Sequence, residues 1–208
     1  MFKYFQVYTV ILLMLLLHVS CDSGKTKRQK IDGNAAGLEV RELKTGSGKE
    51  FIVQMDYSKG ASICKVQVVT SGFSVANTEH KFGDIDPVSD IFLADLDNNG
   101  FEEIYIVTTS AGSGSYSTIY GVASNADKST SVIYVRQISE LGEQKAQMFK
   151  GFMGHNSFTI ETGKLINTLP VYKEGDSNAK PTGGIREVEY ELIAGEAGWI
   201  LEPRMIVH

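Results

Sequence analysis

Glu103-Ile-Tyr-Ile-Val107, Ser110-Ala-Gly-Ser-Gly-Ser-Tyr116 and Ser117-Thr-Ile-Tyr-Gly-Val122 follow one another almost without a break. The two outer stretches are β-branched and aromatic, a composition that fits a pleated surface. The glycine- and serine-rich stretch between them has the residues of a turn. The segment therefore predicts strand, loop, strand. Outward on both sides the habit recurs: Phe51–Met55, Ile63–Val69, Val132–Val135 and Glu187–Ile193 are short apolar runs near period two. Turn residues separate them at Lys59-Gly60, Ser71-Gly72, Asn98-Asn-Gly100 and Thr182-Gly-Gly184. One segment departs, since Ser139–Phe149 predicts a short helix capped by Ser139 and weakened by Gly142. Only four prolines are present, and neither a long helical period nor an internal repeat is visible. The expected fold is all-β: a single antiparallel β-sandwich-like domain with at most one short helix, preceded by a signal peptide and a flexible tether.

The leader is read from the first residues. Lys3 precedes an apolar run from Val7 to Leu17, and His18-Val-Ser-Cys21 closes it. A basic start, an apolar centre of about a dozen residues and small residues before a cut make a secretory signal. The run falls short of the roughly 20 residues of a spanning helix, so a transmembrane anchor is the weaker reading. Cutting before Cys21 exposes the thiol and amine that bacterial lipoprotein processing acylates, although His18 stands where such sites usually carry Leu. Residues 22–37 are polar, basic and small, and predict a tether. The expected divisions are a lipoprotein signal peptide (1–20), lipidated Cys21 with its linker (21–37) and a β domain (38–208). The expected address is the bacterial cell envelope, lipid-anchored, in the periplasm or facing outward. Cys64, the other cysteine, lies in an apolar stretch and reads as a small buried residue, not a nucleophile.

Charge divides unevenly. From Ile31 onward the chain holds 15 Lys and Arg against 24 Asp and Glu, a net charge of −9. Such a surface repels nucleic acid and favours a cationic partner. The composition leaves a homodimer open.

Three motifs carry chemistry. In Asp95-Leu-Asp97-Asn-Asn99-Gly100-Phe-Glu-Glu103, oxygen-bearing side chains occupy positions 1, 3, 5 and 9, with glycine at 6, as in a Ca²⁺ loop. Position 12 is Ile106, so this is not an EF-hand; it is closer to the shorter calcium loops of β-propeller repeats. The alternative is a tight turn held by its own Asn and Asp side chains, with Gly100 at positive φ. The candidate ligands are Asp95, Asp97, Asn99 and Glu103. In Ser110–Tyr116, Ser113 has Ala111 and Ser115 where a hydrolase elbow requires glycine, and neither a P-loop nor a dinucleotide loop is completed. The loop instead offers Ser and Tyr hydroxyls on a glycine-rich frame, to a groove or merely to solvent. The third motif, Tyr172–Arg186, is a long loop rich in turn residues, either a connection or a functional loop. His80, His155 and His208 have no metal-ligand spacing, no cofactor motif is complete, and the expectation is a protein that is not an enzyme.

Asp-Leu-Asp-x-x-Gly-x-x-Glu (95–103), a strand, Ser-Ala-Gly-Ser-Gly-Ser-Tyr (110–116) and Tyr-Lys-x-Gly-Asp-x-Asn-Ala-x-Pro-Thr-Gly-Gly-x-Arg (172–186) occur in this order. The set resembles the periplasmic inhibitors of invertebrate-type lysozyme, the PliI family, over roughly residues 50–202. The resemblance implies an all-β domain whose Ser-Gly-x-Tyr loop enters the lysozyme cleft, with Ser113, Gly114 and Tyr116 as the inserted key. Pro181, Thr182, Gly183, Gly184 and Arg186 are read as the supporting loop. The implied partner is an invertebrate-type lysozyme, and the alternative is a calcium-dependent surface lipoprotein that binds a glycan or a protein. The anchor and the basic tether are additions to the soluble pattern of that family.

Overall fold

A computed structural model describes residues 37–204. The predicted leader, Cys21 and the tether through residue 36 lie outside the described residues, as do 205–208. The hairpin predicted from residues 103–122 forms as β6 (Glu103–Thr109) and β7 (Ser117–Asn125), with Thr109 opposite Ser117 at the loop end. Before them come β1 (Leu38–Lys44), β2 (Glu50–Asp56), β3 (Cys64–Ser71), β4 (Glu79–Ile85) and β5 (Val88–Ala94). After them come β8 (Ser129–Val135), β9 (Ser157–Glu161), β10 (Lys164–Pro170), β11 (Ile185–Ala194) and β12 (Trp199–Pro203). Strands β1-β2-β3-β4 make one sheet, and β5-β6-β7-β8-β12-β11-β10-β9 make the other. Among the described residues the fold is therefore an all-β sandwich, as expected. One detail differs from a purely antiparallel arrangement. Strands β8 and β12 pair in parallel, Trp199 opposite Ile133.

Strand β6 shows how two cores arise. A strand with one solvated face alternates, yet Glu103–Thr108 are all buried. Ile104 and Ile106 join Phe51, Val53, Met55, Val66 and Val68 of the smaller sheet. Tyr105 and Val107 join Ile119, Leu165, Leu169, Val188 and Leu201 on the opposite side. The larger sheet thus packs the smaller sheet on one face, and its far half curls over the other until β9 approaches β7. A central strand covered on both faces reads as a continuous apolar run.

The predicted helix is corrected. Ile138–Glu140 is a 3₁₀ turn, Leu141 is extended, and only Glu143–Ala146 (α1) is α-helical before another 3₁₀ turn at Gln147–Phe149. Gly142, itself extended, caps α1 in place of Ser139, and the carboxylate of Glu140 accepts from Gln137 N instead. Leu141 packs against the larger core, so the chain there follows burial in preference to a continuous helix. None of the described helices is long and apolar enough to cross a membrane.

Candidate functional site

At one end of β6, the loop 110–116 closes on itself. Ser110 N donates to Tyr116 O and Tyr116 N to Ser110 Oγ, both at 2.9 Å, and Ser115 N donates to Gly112 O at 3.0 Å. Two other segments then hold its backbone. His155 N donates to Gly114 O at 2.9 Å, and Asn178 Nδ2 donates to Ser113 O. Glycine at 114 and 154 answers to crowding. A Cβ on Gly114 would lie 2.6 Å from Tyr116 Cε2, and one on Gly154 would lie 2.0 Å from Gly114 O, at a φ of +104°. The loop is therefore pinned through its own backbone and the Ser110 hydroxyl, and the Ser113 side chain is left over. Ser113 is exposed, its hydroxyl makes no hydrogen bond to a described residue, and Tyr116 is 46% exposed.

Below the loop lies an aromatic platform. Tyr116 meets Phe152 edge-on at 5.6 Å between centroids, and Phe152 meets Phe149 at 6.5 Å. Arg186 fixes the turn that carries them, its guanidinium donating to Met148 O and Lys150 O at 3.0 and 2.7 Å. Of the predicted supporting loop, Arg186 reaches the key only indirectly, through the turn that carries Phe149 and Phe152. Gly184 O accepts from Val171 N and Gly183 N donates to Val171 O, where a Cβ on Gly183 would come within 2.5 Å of that oxygen. Pro181 is half-buried and makes no direct contact with the key that the hydrogen bonds record.

Asp176 organises the rest of this loop. Its carboxylate accepts from Lys173 N, Thr182 N and Thr182 Oγ1 at 2.7–2.9 Å. The backbone donors of Lys173 and Thr182 hold its carboxyl below the usual 3.8. A depressed folded value means the contribution is complete above the unfolded pKa and is lost as pH falls through the folded one. Amide protection factors of residues 173–182 are therefore expected to fall below pH 3.8, while those of β6 and β7 persist. Asp176→Asn should produce the same loosening at neutral pH. Equal protection of this loop at about pH 3 and pH 6 would contradict the assignment.

Sequence reasoning missed one buried residue. Asn156, 6% exposed, accepts from Ser117 N at 2.9 Å and donates from Nδ2 to Ser117 O and Asn167 Oδ1, each at 3.0 Å. Ser117 Oγ donates in turn to Asn156 O at 2.7 Å. Its side chain therefore pairs the free edge of β7 with the chain entering β9. An open cleft of about 430 Å³ lies alongside, with Ser89, Asp90, Thr109, Ser115 and His155 among its lining. His80 is elsewhere, on β4, its Nε2 within 2.9 Å of the hydroxyls of Thr78 and Thr130, and burial lowers its pKa.

The second candidate site is at the other end of β6. Asp95 Oδ1 and Asp97 Oδ1 both accept from Asn99 N, and Asp95 Oδ2 accepts from Gly100 N. Asn99 Nδ2 donates to Asp97 Oδ2, and Asn98 and Gly100 have positive φ. Glu103 is 0% exposed, and its Oε2 accepts from Leu96 N at 3.1 Å and from Tyr105 OH at 3.3 Å. Burial pushes the Glu103 carboxyl up to about 8 and also raises that of Asp97.

No protein-family model, curated protein or solved structure matches the chain.

Proposed function

We propose that this chain is a lipid-anchored envelope protein, not an enzyme, that binds an invertebrate-type lysozyme by inserting Ser113, Gly114 and Tyr116 into its active-site cleft. The observation that carries the reading is the division of labour within the loop. Its backbone is tied down by His155 and Asn178 while the Ser113 hydroxyl and half of Tyr116 face solvent. A loop fixed before contact loses little conformational freedom on docking. A glycosidase cleft holds two carboxyl groups that flank the scissile bond. Hydroxyl donors on a stiff loop satisfy them without offering a bond to cleave, and a tyrosine ring adds rigid contact area. Glycine at 114 lets the backbone approach closely. The −9 charge from Ile31 onward favours a cationic enzyme, chiefly by raising the association rate. In this reading Cys21 and the tether keep the domain near the wall that lysozyme attacks.

The experiment is inhibition. The protein, freed of its leader and Cys21, is expected to slow peptidoglycan hydrolysis by invertebrate-type lysozyme and to lose potency as salt rises. Full hydrolysis at micromolar protein would reject the reading. Palmitate-analogue labelling that persists in Cys21→Ala would reject the anchor alone.

A further inference from the structure

We propose that the turn between β5 and β6 is a Ca²⁺ site, with the carboxylates of Asp95, Asp97 and Glu103 as its ligands. One carboxylate oxygen from each of the three lies within 4.8 Å of the others. None of the three is ion-paired with a basic group among the described residues. Acidic clusters are common on surfaces, but this one contains a fully buried member. Glu103 Oε1 has no hydrogen-bond partner, although Oε2 of the same group has two. A buried unpartnered carboxylate oxygen beside two further carboxylates is costly in two ways, by desolvation and by like-charge repulsion. Oε1 lacks a hydrogen-bond partner whether the group is ionised or protonated. A cation answers both costs together.

The donor set selects the ion. All the ligands are hard oxygens, which suits Ca²⁺ and excludes a preference for the softer metals that thiolates and imidazoles hold. The bonds from Asn99 N and Gly100 N shape the turn, and each carboxylate oxygen so bonded keeps a lone pair for an ion. Mg²⁺ demands near-ideal octahedral geometry and gives up water reluctantly, so three protein carboxylates from one turn and the strand that follows it favour the larger ion. Six residue steps along β6 put this site about 20 Å from the 110–116 loop. Its effect is on the stability of the β5–β6 turn, separate from the proposed binding of lysozyme.

The test uses the whole chain in detergent, titrated with Ca²⁺ by calorimetry and with Tb³⁺ by luminescence. Tyr105, whose phenol bonds Glu103, is a built-in sensitiser for Tb³⁺. Saturable one-to-one Ca²⁺ binding is expected, with Kd about 0.1–1 mM or tighter, together with a higher Tm that EGTA reverses. Glu103→Gln and Asp97→Asn should each weaken binding about tenfold or more. Asp97 is only partly buried, so its variant carries the test should Glu103→Gln not fold. Absence of saturable Ca²⁺ and Tb³⁺ binding would overturn the site. So would affinity unchanged in Asp97→Asn, or Mg²⁺ binding as tightly as Ca²⁺.

Discussion

The double variant Ser113→Ala, Tyr116→Ala is expected to lose about a thousandfold in affinity for invertebrate-type lysozyme while remaining folded. Truncating an interface tyrosine at a hot spot costs about 2 kcal/mol or more. A hydroxyl bonded to a charged carboxylate adds about 1.5–3 kcal/mol. Together these approach 4 kcal/mol, and each 1.4 kcal/mol is about tenfold. The fold survives because neither side chain holds the loop. Ser110, His155 and Asn178 bond to backbone groups of residues 113, 114 and 116, and alanine keeps those groups. The loss within the folded state is the edge contact between Tyr116 and Phe152, about 0.5–1.5 kcal/mol, which lowers Tm by a few degrees. Binding by isothermal titration and melting by circular dichroism check the two halves. Wild-type affinity in the folded double variant would remove these two residues from the interface.

Asn156→Ala is expected to destabilise the whole domain by about 2–4 kcal/mol, because a buried group left unpaired costs about 1–3 kcal/mol and a part-buried one less. Three groups lose their partner at once: Ser117 N–H, Ser117 C=O and Asn167 Oδ1. Alanine supplies neither donor nor acceptor; the Asn167 oxygen loses its partner in the interior, whereas Ser117 borders the open cleft, where water offsets part of its loss. Domains of this size are stable by only about 5–15 kcal/mol, so the midpoint of urea unfolding should fall by a large fraction. Because Ser117 directly follows Tyr116, binding should weaken as well. A loss below about 1 kcal/mol would mean that something other than Asn156 holds the curl of the larger sheet.

The loop and Asn156 mark the boundary of what the chain's pattern reveals. Ser113, Gly114 and Tyr116 stand in a local composition that any reader notices, a glycine frame carrying hydroxyls between two apolar strands. Asn156 is a lone polar residue whose partners lie 39 and 11 positions away, and no local period announces it. Phe152 and Gly154 are silent for the same reason. Their roles exist only once β9 has curled back to β7. The strands divide likewise. β2, β3, β6, β7, β8 and β11 declare themselves by apolar, β-branched runs. β1 (LEVRELK) and β4 (EHKFGDI) are edge strands with charged, largely exposed residues, and their conformation comes from the neighbour they pair with. β9 and β12 have five residues each, too short for a period to stand out. In the Asp95–Glu103 turn, spacing was visible in the chain. The burial of Glu103, on which the cation site depends, follows from β6 being covered on both faces.

The central claim is that the 110–116 loop occupies the lysozyme cleft, and steady-state kinetics tests it most directly. With a soluble chito-oligosaccharide or peptidoglycan fragment as substrate, rising concentrations of the protein should raise the KM of invertebrate-type lysozyme and leave kcat unchanged. Inhibition that lowers kcat at constant KM, or no inhibition, would contradict it.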